Sequence, residues 1–183
     1  IGLQLKVAGS GELRSAVATG AVDVCFAFGD AGADPALQSE AIANEPLVVI
    51  MPPGHLFSGA AELGPTDLAG ESFLVTETGC VYRQMFETVF PPESPGRPRI
   101  AGEFQSLAAI RSLVEAGLGC ALVPRLVVND VARSLPYALW KGGRETVPIA
   151  MIWRRRRIQP PALRLFLDTA RLSFHASLCP PSA

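Results

Sequence analysis

A chain of 183 residues, 49% hydrophobic and 18% charged, is long enough to bury one good core or two small lobes. A formal net charge of −1 gives it no electrostatic footprint for nucleic acid. No apolar run reaches membrane-spanning length, and no signal peptide opens the sequence. Cys25, Cys80, Cys120 and Cys179 are scattered without CxxC spacing, which points to neither a disulfide framework nor a zinc motif and fits a reducing cytoplasm.

In chain order, Leu3, Leu5 and Val7 alternate with Gln4 and Lys6, the pattern of a half-buried strand. Gly9 and Gly11 flank Ser10, which is predicted to cap a helix carrying Leu13, Ala16 and Val17 and stopping at Gly20. Val22 to Phe28 reads as a buried strand, so strand, helix and strand together predict a parallel pair with a right-handed crossover. Gly29 to Pro35 is a loop. Pro46 to Met51 is a continuous apolar run stopped by Pro52, Pro53 and Gly54.

A second strand–helix–strand set begins at Phe73 to Val75. Its helix aligns Tyr82, Met85, Phe86 and Val89 and ends at Pro91 and Pro92, and Ile100 to Phe104 is the next strand. Ser106 can cap a helix whose stripe is Leu107, Ile110, Leu113 and Val114; Gly117 and Gly119 stop it, and Cys120 to Val123 is a short buried strand. Leu126 to Leu135 reads as helix, and Tyr137 to Trp140 and Val147 to Trp153 as strands. Pro161 opens a last helix with Leu163, Phe166, Leu167 and Ala170 on one side, and the tail after Phe174 is expected to fray.

Ligands of parallel sheets gather at the carboxyl ends of strands. Two loops meet that description and also open helices, Ala8 to Gly11 and Thr76 to Gly79. Hydroxyls and amides there could hold an anion at the positive end of a helix; ordinary capping is the rival role for Ser10, Thr76 and Thr78.

The wording of several stretches goes beyond pattern. EFQSLAAIRSLVEAGLGCALVPR (103–125), LRSAVATGAVDVCFAF with Gly20 and Asp23, EPLVVIMPPGHLF with its Pro–Gly–His turn, and FLVTETGCVYRQMFE follow one another in an order and spacing that resemble the effector-binding domain of LysR-type transcriptional regulators. The resemblance runs from Ile1 to about Phe174. It implies an α/β fold of the two-lobed, periplasmic-binding-protein-like (type 2) kind, with two crossing strands. Lobe one would be residues 1–48 and 147–174, lobe two residues 49–146, and residues 175–183 a tail. It also implies that one strand–helix unit of lobe one, and the winged helix-turn-helix that reads DNA, lie upstream of Ile1. The effector contacts carried over are Ser10, Thr76, Thr78, Gly79, Cys80 and Tyr82, in a cleft between the lobes. A small polar or anionic effector, a homodimer or homotetramer, DNA contact only through the upstream domain, and a cytoplasmic setting complete what the resemblance implies. For self-association it offers Ile1 to Val7 as an edge strand and the helix at Leu107 to Val114 as the opposing surface.

Competing readings are weaker. Tyr82 also lies on the apolar stripe of its helix, where core packing is its alternative role. Cys80 at a helix start near Arg83 resembles the reactive thiol of a peroxide-sensing branch of the family, but no resolving cysteine follows until Cys120. Arg154 to Arg157 lacks interleaved aromatics and reads as a solvated strand end. His55 and His175 are far apart in sequence, and His55 is expected to be exposed in its turn. No catalytic residues, metal ligands or cofactor are therefore expected. The main alternative function is a solute-binding protein of a transport system with the same fold; an enzyme using Cys80 as nucleophile lacks an assignable base.

Overall fold

The computed structural model describes residues 2–29, 32, 34–128 and 135–178, with side chains as far as Phe174. The chain divides into two compact units, Ile1–Asn44 with Pro148–Ala183, and Glu45–Val147.

Unit 1 is built on β1 (Val24–Phe28) and the parts of β2 (Leu37–Ile50) and β8 (Thr146–Arg154) that lie in it, in the order β1, β8, β2. β1 and β8 are antiparallel, Val24 opposite Trp153 and Phe28 opposite Ile149. Successive side chains of a strand point to opposite faces, and β8 uses both. Ala150 and Ile152 join Val17, Cys25, Ala27 and Leu37 in a core under α1 (Ser10–Thr19). Met151 and Trp153 pack instead on Leu163 and Leu167 of α4 (Pro161–Leu178). An α/β/α layering results. Arg171 of α4 makes a forked ion pair with Glu40 of β2, with nitrogen–oxygen distances of 2.7–3.0 Å.

Three expectations fail in this unit. Residues 2–9 form no strand: Leu5 and Val7 are 96% and 97% exposed. Alternation shows that a segment could be a strand, but a strand exists only by pairing, and none of the described pairings involves this segment. With it goes the parallel crossover, since the described partner of β1 is the antiparallel β8. Ser10 is the first residue of α1 rather than its cap; Gly9 holds the cap position, without a side-chain bond.

Unit 2 centres on the second half of β2, where Leu47 to Ile50 are wholly buried. β6 (Ala121–Pro124) and β7 (Tyr137–Trp140) flank it, both antiparallel, so Val48 lies opposite Val123 on one side and Leu139 on the other. The short β3 (Glu62–Leu63) pairs in parallel with β7. β4 (Ser72–Thr76) and β5 (Arg99–Phe104) form a parallel pair, and a bridge from Phe73 to Cys120 ties β4 to the chain just ahead of β6.

Two helices close this unit. α3 (Leu107–Glu115) is capped as expected, the Ser106 hydroxyl accepting from the Ala109 amide at 3.3 Å. It ends in a full Schellman arrangement, with the Leu118 amide on the Leu113 carbonyl and the Gly117 amide on that of Val114. Ile110 and Val114 are buried with Val48, Ile50, Leu74 and Val123, so the α3 stripe belongs to this unit's own core, while Ala108, Ala109, Ser112 and Glu115 on the same helix stay exposed. α2 (Val81–Val89) buries Tyr82, Met85 and Phe86. Its Phe86 stacks between Phe73 and Phe90, and Phe90 leads on to Trp140. Of the helix expected from Leu126 to Leu135, a short 3-10 turn at Arg125–Val128 is present and residues 129–134 lie outside the described set. β2 is far longer than the apolar run at Pro46 to Met51 suggested, because its first half alternates between half-buried and exposed positions.

Candidate functional site

The carboxyl end of β4 delivers the chain to Thr76, from which it turns into α2. The Cys80 amide donates to the Glu77 carbonyl at 3.1 Å and the Glu77 amide to the Phe104 carbonyl at 3.2 Å. That turn needs a positive φ, and Gly79 supplies it at +91°. Cys80 then takes the N-cap position of α2 without a side-chain cap bond, so the first-turn amides point outward with no side chain of the helix's own cap upon them.

Thr76 is the unusual residue of this loop. It is only 5% exposed, yet its hydroxyl has no hydrogen-bond partner in the protein. Buried hydroxyls are normally satisfied, since leaving one unmade costs on the order of 1–3 kcal/mol. Thr76, Tyr82, Phe73, Phe86 and Leu122 line a cavity of about 10 Å³, at the lower limit for one water molecule. Burial, with Cys80 and Glu45 adding to it, holds the Tyr82 phenol above its ordinary pKa, so it stays a neutral hydroxyl. Thr78 and Gly79 are exposed and Cys80 is half-buried. Five of the six expected contact residues thus fall on one turn and the first residues of α2. Ser10 lies in unit 1, half-buried at the start of α1. A concavity of about 290 Å³ in that unit runs along Arg14, Ala18, Thr19 and Leu37 and does not include Ser10.

Arg83 is the residue of this region that sequence reading misplaced. Its Nε donates to Glu87 Oε1 and its Nη1 to Glu103 Oε2, both at 2.7 Å, and Nη1 also reaches the Thr76 carbonyl at 3.3 Å. The guanidinium therefore braces the end of β4 against α2 and β5, and its charge is met by two carboxylates rather than reserved for a thiolate at Cys80. The i, i+4 spacing of Arg83 and Glu87 was a signal available from the sequence.

A second cluster lies at the other end of β4. His55 is not exposed as expected; its side chain retains 15% exposure, and its Nε2 lies 3.3 Å from Glu71 Oε2 and 3.7 Å from Cys120 Sγ. The residues stand 16 and 65 positions away from His55 in the chain, too far for any motif to connect them. Burial, with the Glu71 carboxylate second, pushes the Cys120 thiol up to about 12, so it stays protonated near neutral pH. Both partners converge on the same ring nitrogen. A nucleophile–base–acid relay needs them on opposite nitrogens, so this is not a hydrolase triad.

The model of a family described as the LysR substrate binding domain matches residues 1–174. The chain belongs to this family. Among curated relatives of this LysR substrate-binding domain, the HTH-type transcriptional regulator CbbR of Xanthobacter flavus is 34% identical over 151 residues, 76% of this chain and 44% of that protein. The chain spans about half the length of the curated relatives it matches. Among solved structures, the Synechocystis PCC6803 CcmR regulatory domain in complex with 2-PG superposes with a TM-score of 0.81 at 18% identity, covering 94% of this chain and 83% of that one. The effector binding domain of QuiR in complex with shikimate gives 0.79 at 15% identity, over 92% and 79%. At these identities the structural likeness establishes the fold, and the two-unit α/β architecture is that of LysR effector-binding domains. No described helix is long and apolar enough to cross a membrane.

Proposed function

We propose that this LysR substrate-binding domain senses a small polar or anionic effector, and that Thr76, Thr78, Gly79, Cys80 and Tyr82 of unit 2 are effector contacts, as is Ser10 of unit 1. The observation that carries the reading is the buried Thr76 hydroxyl without a protein partner, set at the carboxyl end of a parallel strand and directly ahead of a helix start whose amides favour negative charge. An unsatisfied buried hydroxyl calls for a partner that the protein does not supply, a water or a ligand group. Relatives of the same fold described with 2-PG and with shikimate, a carboxylate, support an anionic effector.

In the whole regulator, effector binding shifts the populations of subunit arrangements and so changes how a winged helix-turn-helix domain meets DNA. The protein acts in the cytoplasm as a homodimer or homotetramer, and it performs no catalysis. Relatives named as transcriptional regulators favour this reading over a transport receptor.

The direct test is calorimetric titration of the chain with a panel of small carboxylates and phosphates that includes shikimate and 2-PG. The anion that binds the unmodified chain should bind Thr78→Ala about fivefold more weakly, the worth of one hydrogen bond of ~1 kcal/mol. Thr78 is exposed, so thermal unfolding should not change. Equal affinity in the variant would remove Thr78 from the site.

A further inference from the structure

We propose that His55, Glu71 and Cys120 form a binding site for one divalent transition metal of the zinc type. The three offer an imidazole nitrogen, a carboxylate oxygen and a sulfur, all within 4.8 Å of one another. Tetrahedral zinc, with bonds of about 2.3 Å to sulfur and about 2.0–2.1 Å to nitrogen and oxygen, sets its ligands roughly 3.4 Å (N to O) and 3.6 Å (N to S) apart. The observed separations, 3.3 Å from His55 Nε2 to Glu71 Oε2 and 3.7 Å to Cys120 Sγ, are nearly those edges already. This explains why two partners crowd one ring nitrogen, an arrangement that serves neither a relay nor an optimal hydrogen bond.

The donor set selects the metal. A thiolate with an imidazole excludes magnesium and calcium, which take oxygen ligands, and suits zinc and its neighbours in the first transition row. Cys120 is buried, whereas His55 and Glu71 are part-exposed; the ion enters from their side, where water takes the fourth position, and the thiol proton leaves to solvent. One local bond must yield. The Phe57 amide donates to His55 Nδ1 at 3.4 Å, and a metal on Nε2 places the ring proton on Nδ1. That contact is long and lies in the turn after Pro52, where it can open.

The consequence is a clamp. Glu71 directly precedes β4 and Cys120 directly precedes β6, while His55 belongs to the turn that follows β2. A bound ion would pin that turn to the starts of two strands, at the opposite end of β4 from Thr76. The site is therefore separable from effector binding.

Cobalt(II) added to the full 183-residue chain under reducing conditions is the test. One equivalent should bind and give a thiolate-to-cobalt charge-transfer band, and zinc should raise the unfolding temperature where magnesium does not. Cys120→Ser should abolish the band and Cys80→Ser should leave it intact. His55→Gln, at a part-exposed position that the fold can spare, should weaken zinc by more than the roughly 10–100-fold that loss of a supporting hydrogen bond costs at metal sites. A band that survives Cys120→Ser, zinc affinity unchanged in His55→Gln, or no cobalt binding to the unmodified chain would overturn the proposal.

Discussion

Trp140→Ala should destabilise unit 2 by about 3–5 kcal/mol, the range for large aromatic truncations in packed cores. Trp140 ends β7 and is 2% exposed. Its ring meets Phe90 at 6.2 Å, and the contact continues through Phe86 of α2 to Phe73 of β4, so both elements are tied to Trp140 by a continuous run of aromatic contacts. The surroundings cannot collapse into the space, because the indole also fills the position that a side chain on Gly142 would take: a Cβ there would lie 1.9 Å from the ring. Chemical denaturation followed by far-ultraviolet circular dichroism measures the loss. A loss below about 1 kcal/mol would place Trp140 outside the core.

Gly119→Ala should cost about 3 kcal/mol, through two separate penalties. Its φ of +152° is hard for any residue with a Cβ, and the added methyl would sit 2.6 Å from the Ser72 carbonyl oxygen. That oxygen cannot retreat, since it accepts the Cys120 amide at 2.7 Å in the bridge that joins β4 to the chain ahead of β6. Gly117→Ala is the control. A Cβ there meets nothing within 4 Å, so it should lose only the strain of a left-handed φ, about 1–2 kcal/mol. Equal losses for the two variants, measured by the same denaturation, would mean that close approach at Gly119 plays no part.

These two glycines show where sequence reading succeeds and where it stops. Both were legible as the end of α3, because a helix stop is a local event and Gly117 serves it. The contact that Gly119 makes with Ser72 joins residues 47 positions apart, and nothing local reports it. The same boundary runs through the rest of the fold. The Ser106 cap and the Ile110–Val114 stripe were read correctly from spacing, as was the stripe on α2. The strand at Leu3 to Val7 was not, because alternation carries no information about whether a partner exists. The antiparallel pairing of β1 with β8 joins residues 121 to 129 positions apart, and the half-polar start of β2 hides a strand that its apolar end announces.

At the candidate site, the Thr76–Tyr82 turn was visible as hydroxyls and a glycine at a helix start. Ser10 was misassigned as a cap because Gly9, one residue earlier, can hold the same position without any side chain. The Arg83–Glu87 half of the brace was readable as an i, i+4 pair, but its Glu103 half and the His55 cluster depend on residues brought together by the strands, and no spacing rule would have found those.

The central claim is that the fold leaves the Thr76 hydroxyl unsatisfied for an effector to use. Thr76→Val replaces that hydroxyl with a methyl of similar size, so one variant tests both halves of the claim. Removing a buried hydroxyl that bonds nothing should stabilise the free domain by about 1 kcal/mol, and removing a ligand donor should weaken anion binding by a similar amount, roughly fivefold. Denaturation and calorimetric titration of the same protein sample read the two effects together. Higher stability with weaker binding is the predicted result; lower stability with unchanged binding would show that the hydroxyl serves the fold and that the effector site lies elsewhere.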